Sequence, residues 1–250
     1  MTAEHSFLPF ARLVFAVAAA SLGVCPVSAQ VPFTGAAHEQ DFDTLPLSPG
    51  GVVPFTFENN VTLLGWYFSD MRPNNARASS GPRSGGLIYS WGTNKTSDRA
   101  LGIFFGAGTG GFADVAMLGL QLRNDSGATI SGIRLSFDVE QWRSHERPAA
   151  WEFSYLVTAA GGDQLRAPGG YVSDLRGDVT SLHTGAGTGL NGNHADNRRS
   201  QVLVLEKLDW KPGAYLWLRW VSEQASGASG LGIDNLRVER VGSGDRSTAN

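Results

Sequence analysis

Apolar and polar residues alternate along much of the chain with a period of two. The alternation is regular over Ile133–Glu140 and over Trp151–Tyr155, and nearly regular over Leu118–Arg123. This period places one side of a segment in a core and the other side in water, which is typical of a β-strand. Further strands are predicted at Val53–Phe57, Gly65–Phe68, Gly86–Trp91, Leu101–Phe105, Val202–Leu205, Tyr215–Val221 and Leu231–Val241.

Turn-rich segments such as Asn74–Gly86 and Gly185–Asn197 separate these strands. After residue 29 no segment shows the 3.6-residue period of an amphipathic helix. The pattern therefore predicts an all-β fold of two packed antiparallel sheets, a sandwich or jelly roll, as a single domain over residues 30–241. Residues 242–250 are polar and are expected to form a disordered tail.

The beginning of the chain has the pattern of an export signal. Leu13–Val24 is apolar, uncharged and preceded by Arg12, and it is shorter than the roughly 20 residues that span a bilayer. Small residues at the end of Pro26–Ala29 match a signal peptidase site, so we predict cleavage after residue 29 and a secreted protein, extracellular or periplasmic. Cleavage removes Cys25, the sole cysteine, which excludes disulfides, a thiol nucleophile and a Cys-ligated metal in the mature chain.

Charge and motifs exclude several classes of function. The formal net charge is −3 and no basic run occurs, so neither nucleic acid nor an anionic membrane surface is an expected partner, and the mature chain has no predicted membrane span. Gly106–Gly111 fits the dinucleotide pattern G-x-G-x-x-G, but a predicted strand follows it where the motif requires a helix. The histidines lack metal-ligand spacing, and no Gly-x-Ser-x-Gly elbow marks a serine nucleophile.

Two carboxylates leave an enzymatic alternative open. Asp138 and Glu140 are two residues apart on one predicted strand, so they project from the same face, opposite the apolar residues that point into the core. An ordinary solvated strand face is the simpler interpretation. A glycosidase dyad set across such a sheet is the alternative, since paired carboxyls carry out glycoside hydrolysis.

A third carboxylate is predicted to be buried. Asp234 is in phase with Leu236 and Val238, so it points inward if they do. A buried carboxylate needs a cation or hydrogen-bond donors. Two solutions stay open: a structural calcium ion held with Asp41 or Asp43, or a network of hydrogen bonds or an arginine pair.

A set of motifs taken together resembles a module of secreted bacterial proteins. The motifs are Phe42–Leu45, Gly65–Tyr67, Ser97–Gly102, Glu140–Arg143, Leu190–Arg198, Leu216–Trp220 and Gly232–Asn235. The module occurs alone, ahead of extracellular nuclease-like domains, and in exported proteins with a C-terminal PEP-CTERM anchor, and it is similar to jelly-roll carbohydrate-binding modules. The resemblance implies a glycan-binding sandwich. No apolar helix follows Val241, which implies free secretion rather than anchoring.

Candidate ligand-binding residues follow from the chemistry of sugars, which present an apolar ring face and polar edges. Gln141, Trp142 and Arg143 supply an amide, an indole and a guanidinium in succession, and Trp66 and Trp91 are flanked by loops or polar residues. A structural corner, in which Gln141 caps backbone groups and Trp142 covers a sheet edge, is the alternative for this motif.

The predicted function is a secreted, non-catalytic module that binds an extracellular or cell-surface polysaccharide. A structural or adhesive matrix protein without a small ligand, and a secreted glycan hydrolase, are the alternatives.

Overall fold

Two β-sheets pack face to face and confirm the predicted all-β sandwich. The computed structural model describes residues 30–81, 88–105, 115–223 and 227–242, so the predicted signal peptide, the Gly106–Gly111 motif and nearly all of the predicted tail lie outside the described residues. The strands are β1 (Val31–Phe33), β2 (His38–Gln40), β3 (Val53–Phe55), β4 (Trp66–Phe68), β5 (Ala76–Ser79), β6 (Ile88–Trp91), β7 (Ala100–Ile103), β8 (Val115–Asn124), β9 (Ile130–Arg143), β10 (Ala150–Thr158), β11 (Val172–Ser173), β12 (Val179–Thr180), β13 (Arg198–Trp210), β14 (Tyr215–Glu223) and β15 (Gly230–Arg240). Short 3₁₀ turns occupy Leu175–Gly177 and Ala195–Asn197. No helix within the described ranges is long and apolar enough to cross a membrane.

The order of strands brings distant parts of the chain together. The first sheet runs β1-β8-β14-β10-β11, with β4 beside β8 and β12 beside β10. The second sheet runs β13-β9-β15-β7-β6-β5-β3, with β2 beside β15. Neighbouring strands are antiparallel apart from two parallel pairs, β1 with β8 and β5 with β6. The second sheet thereby places β9, from the middle of the chain, against β15, from its end.

The main core lies between the sheets and is formed by the apolar side of each long strand. On β9 this side consists of Ile133, Leu135, Phe137 and Val139, all at most 2% exposed, as the alternation predicted. Trp220 of β14 faces them, with its ring 5.6 Å from that of Phe137. The inner side of each long strand is thus occupied by the main core. A ligand site can therefore form only on the outer faces of the two sheets or in the loops.

Several short strands were not predicted. β5 lies inside the segment 74–86 that was expected to be a turn, and β1, β2, β11 and β12 are two or three residues long. Strands this short show no measurable period, and hydrogen bonds to a longer neighbour stabilise them instead. β5, for example, is held between β3 and β6.

Candidate functional site

The outer face of the second sheet carries an aromatic cluster that is shielded from solvent. This outer aromatic cluster consists of Tyr89, Trp91, Phe104 and Trp142 packed with Ala100. The rings of Tyr89 and Trp91 are stacked at 4.0 Å, and Phe104 meets Trp91 edge-on at 6.4 Å. Each of the four aromatic side chains is at most 3% exposed. A second apolar layer therefore lies outside the main core.

Glycines on β7 and β15 make room for this cluster. A Cβ atom added at Gly102 would lie 2.3 Å from Nε1 of Trp91, and at Gly230 it would lie 3.1 Å from the same indole. The indole consequently reaches the backbone, where its Nε1 donates to the carbonyl of Leu231 at 3.0 Å. Side chains larger than hydrogen at these positions would displace the ring.

The three tryptophans that the sequence marked as candidate ligand contacts do not present their rings to solvent. Trp66, Trp91 and Trp142 are each 0% exposed. Trp66 belongs to the main core, where its ring lies 5.0 Å from Phe42 and 6.4 Å from Trp220. The polar and loop residues that flank these tryptophans had suggested solvent, but tertiary contacts bury the rings. A ligand contact of these residues stays a prediction, and of the three, Trp142 borders a pocket.

Gln141 and Arg143 hold loops against the sheet. Oε1 of Gln141 accepts hydrogen bonds from the backbone nitrogens of Leu182 and His183, at 2.8 and 2.9 Å. Arg143 donates from Nη1 to the carbonyl of Gly81 at 3.1 Å and from Nη2 to a second loop carbonyl, and its guanidinium lies 5.7 Å from the centre of a ring of the outer aromatic cluster. These contacts favour the structural corner over direct ligand binding, which stays a prediction for both residues.

A pocket of about 520 Å³ opens beside Trp142, and we call it the outer pocket. It lies where the turns after β5 and β6 meet the segment before the second 3₁₀ turn. Among the residues that the structure describes, its lining consists of Ser80, Thr93, Asn94, Trp142, Gly189, Leu190 and Asn191, none of which is ionisable. Hydroxyls and amides both donate and accept hydrogen bonds. The arrangement therefore offers neutral polar groups next to an indole.

The polar side chains of the outer pocket are oriented by internal contacts. Oδ1 of Asn94 accepts from the hydroxyl of Ser48 at 3.2 Å, and Oδ1 of Asn191 accepts from the backbone nitrogen of Asn193 at 3.2 Å. Trp142 donates from Nε1 to Oε2 of Glu140 at 2.9 Å. The side chains that line the pocket are thus preorganised by contacts within the protein. Sequence reasoning missed its polar residues because they lie in turns that no spacing rule relates to one another.

Three buried carboxyl groups on the outer face of the second sheet form what we call the carboxyl cluster, and one of them, Glu140, accepts a hydrogen bond from Trp142. Asp138 and Glu140 on β9 are 7% and 0% exposed, and Asp234 on β15, paired in register with Asp138, is 3% exposed. Arg198 forms an ion pair with Asp138, and its Nη1 is 3.9 Å from Oε1 of Glu140. Within the described residues, this Oε1 atom has no hydrogen-bond partner. The expectation that Asp138 and Glu140 lie on a solvated face is therefore wrong. Trp142 and Arg198 cover this face.

Burial gives the cluster unequal proton affinities. It raises the pKa of Glu140 to about 7 and that of Asp234 to about 8, and the charges of neighbouring carboxylates add to both effects. For Asp138, burial alone would raise the pKa, but hydrogen bonds from Ser200, Arg198 and other donors outweigh it and lower the pKa below its ordinary value. Asp138 is therefore the ionised partner of Arg198.

Asp234 is buried as predicted, but it does not face the main core. It pairs with Asp138, on the outer face, whereas Leu236 belongs to the main core. A β-bulge on β15 lies between Asp234 and Arg237, and Asn235 in this bulge has a positive φ of 48°. The extra residue reverses the phase of the strand. Oδ1 of Asp234 accepts from the backbone nitrogen of Asn235 at 2.7 Å and Oδ2 from its amide at 3.0 Å.

The predicted calcium ligands are engaged in separate contacts. Oδ1 of Asp43 accepts from the backbone nitrogen of Arg99 at 3.1 Å, and Oδ1 of Asp41 accepts from the nitrogen of Asp43 at 3.2 Å. In the part of the chain that the structure describes, no three His, Cys, Asp or Glu side chains are arranged to hold a metal ion. Calcium at Asp234 thus stays a prediction, and the contacts favour the hydrogen-bonded alternative.

Chelation distinguishes the two accounts of Asp234. We expect EDTA to leave the melting temperature unchanged, because Asn235 already supplies donors to both carboxyl oxygens. Differential scanning fluorimetry with EDTA, and after addition of calcium or magnesium, measures the effect. A lower melting temperature in EDTA that calcium restores, and that Asp234→Asn abolishes, would establish calcium binding instead.

Comparison with known proteins reveals likeness to solved β-sandwiches. No protein-family model matches the chain, and no curated protein sequence is significantly similar to it. The K3 adhesin domain of Lys-gingipain from Porphyromonas gingivalis is 14% identical, with a TM-score of 0.41 over 70% of this chain and 91% of that one. A mannan-recognising carbohydrate-binding module is 14% identical, with a TM-score of 0.40 over 82% and 96%. A xylan-binding domain from Paenibacillus barcinonensis is 11% identical, with a TM-score of 0.34 over 85% and 97%. At these values the ligands of those proteins do not transfer to this chain.

Proposed function

We propose that this protein is a secreted, non-catalytic module that binds a neutral saccharide unit of an extracellular polysaccharide in the outer pocket. The observation that carries the proposal is the described lining of that pocket, which has one indole, four hydroxyl or amide side chains and, within the described ranges, no ionisable group. Neutral sugars have hydroxyls that donate and accept, together with apolar C–H surfaces, and this lining complements both.

The size and rigidity of the pocket fit a small polar ligand. Its volume of about 520 Å³ lies within the usual range for ligand sites, which is about 300–1,000 Å³. Hydrogen bonds to Ser48 and Asn193 orient Asn94 and Asn191 in advance, so binding would cost little conformational entropy. The pocket is open on its solvent side, which allows the rest of a polymer to extend beyond it.

The carboxyl cluster does not favour the hydrolase alternative. Its members differ in pKa, as the acid and base of a glycosidase do. However, Glu140 is 0% exposed and its Oε2 accepts from Trp142, and neither Glu140 nor Asp138 lines the outer pocket. A general acid must come within hydrogen-bond reach of the bond it cleaves. The cluster supports the pocket wall from behind.

Replacing Asn191 by aspartate tests the proposal. The new side chain keeps the oxygen that accepts from Asn193 but removes an amide donor and adds a negative charge to a neutral pocket. We expect the affinity for a neutral polysaccharide to fall about tenfold, since one lost hydrogen bond corresponds to roughly 1 kcal/mol or more. Affinity electrophoresis in gels containing mannan, xylan or a soluble cellulose derivative measures the change.

The matched control is Asn74→Asp, which makes the same charge change at an exposed position outside the pocket. It should migrate like the wild type, and both variants should keep the wild-type melting temperature. Two results would refute the proposal: a wild-type protein that no neutral polysaccharide retards, or retardation that Asn191→Asp leaves unchanged. The first of these would favour the structural or adhesive alternative.

A further inference from the structure

The strand β13 forms a long open edge of the second sheet. It is 13 residues long and, within the described ranges, pairs with β9 alone. An edge strand has unpaired backbone groups that can bind another strand, and proteins commonly keep such edges short or cover them. This edge is long, and its register with β9 is regular from Arg198 to Glu206.

The backbone groups on the open side belong to even-numbered residues. The carbonyl of Val204 accepts a hydrogen bond from Nη2 of Arg176 at 3.0 Å, so it is directed away from β9. Along an antiparallel strand, every second residue directs its N–H and C=O to the same side. Ser200, Val202 and Glu206 therefore direct theirs to the open side as well.

The side chains of these residues are complementary to a second copy of the same strand. Antiparallel pairing about a two-fold axis at Val202 places Val202 opposite itself and Ser200 opposite Val204. It also places Arg198 opposite Glu206 at both ends. The Arg198 side chain is paired with Asp138 of its own copy but is 32% exposed, so opposite charges still face each other there. Opposed charges on adjacent strands each contribute about 0.2–1 kcal/mol. The backbone groups on the open side and the charges of the side chains are thus both compatible with antiparallel pairing centred on Val202.

Exposed apolar side chains surround this edge. Val202 itself is 57% exposed, although it lies in the middle of a strand. Leu175, in the 3₁₀ turn that contacts β13, is 81% exposed, and Val172 of β11, the edge of the other sheet, is 51% exposed. Single exposed apolar residues are ordinary. Val202 on the strand and Leu175 in the turn that contacts it form a surface that a second copy would cover.

We propose that the protein dimerises by antiparallel pairing of β13 with β13 of a second copy, about a two-fold axis at Val202. Arg176 limits this pairing, because its guanidinium occupies the carbonyl of Val204 while it is paired with Asp174 at 2.5 Å. Removal of Arg176 would free that carbonyl. The dimer extends the second sheet continuously across two copies and is independent of the outer pocket.

A cysteine at the axis tests the register directly. In a hydrogen-bonded antiparallel pair the Cα atoms are about 5.5 Å apart, within the range that a disulfide spans. We therefore expect Val202→Cys, in a chain with Cys25 replaced by Ser, to form a covalent dimer under mild oxidation. Val61→Cys is the matched control, because Val61 is 72% exposed but lies in a turn away from β13. It should stay monomeric on a non-reducing gel.

Sedimentation velocity on the cysteine-free chain supplies the equilibrium test. Arg176→Ala is expected to dimerise at a concentration at least threefold lower than the wild type. Val202→Lys is expected to abolish the dimer, since it places two like charges opposite each other. The proposal is overturned if Arg176→Ala is monomeric at every concentration, if Val202→Lys leaves a dimer intact, or if the two cysteine variants crosslink equally. None of these readouts involves a glycan, so they are separate from the test of the outer pocket.

Discussion

Trp142→Ala is expected to lower the free energy of unfolding by about 3–5 kcal/mol, the usual cost of removing a buried aromatic side chain. The indole is 0% exposed and packs in the outer aromatic cluster. Its loss also leaves the buried Glu140 without the donor that now binds Oε2. Urea unfolding followed by circular dichroism measures the change.

Trp142→Phe separates packing from hydrogen bonding. The ring still fills most of the space, but the N–H donor is gone, so we expect a loss of roughly 1–3 kcal/mol. Val61→Ala, at an exposed position in a turn, serves as the control and should stay within about 0.5 kcal/mol of the wild type. An unchanged unfolding midpoint for Trp142→Ala would show that the indole is not packed, and would favour direct ligand binding by Trp142 over the structural corner.

Stability is expected to rise as the pH is lowered from about 8 to about 5. The pKa of Glu140 is raised from its ordinary value of 4.5 to about 7, and that of Asp234 from 3.8 to about 8. The folded state therefore holds protons that the unfolded chain has already released across this range. This contribution is complete below the ordinary pKa values and is lost as the pH rises through the raised ones. For Glu140 alone it is on the order of 3 kcal/mol, since one pKa unit corresponds to about 1.4 kcal/mol.

Glu140→Gln is the variant that isolates this effect. It mimics the protonated carboxyl, so it should reduce the pH dependence between pH 5 and 8, leave the part that Asp234 contributes, and be more stable than the wild type at the alkaline end. Glu152→Gln, at an exposed position on β10, is the control and should follow the wild-type curve. His38 acts in the opposite direction, because burial lowers its pKa, and this contribution is common to all three proteins. A wild-type stability that is flat or rises with pH, and that Glu140→Gln does not alter, would contradict the prediction.

The sequence determined the fold class because the signal was local. Each long strand repeats its apolar residues every second position, so the inner sides of β9 and β14 could be assigned without knowing their neighbours. Trp217 and Trp220 are three residues apart on β14, so the same period places them on opposite sides of the strand, and the two indoles lie in different clusters. The burial of Asp234 was also predicted, but the direction of its side chain was not, because a bulge at Asn235 shifts the phase.

The candidate site was decided by tertiary structure. The alternation of apolar and polar residues predicts which side chains point away from the main core. It does not predict whether other segments of the chain bury those side chains. On the second sheet, loops and Arg198 cover that face, so Glu140 is buried where the pattern predicted solvent, and Trp142 is buried beside it. The outer pocket joins residues about 100 positions apart, such as Thr93 and Asn191, and no local pattern records such a meeting. The period of two follows from the backbone geometry of a single strand, so the sequence of that strand is enough to reveal it. A pocket forms where separate turns meet, and these turns come together only when the whole chain folds.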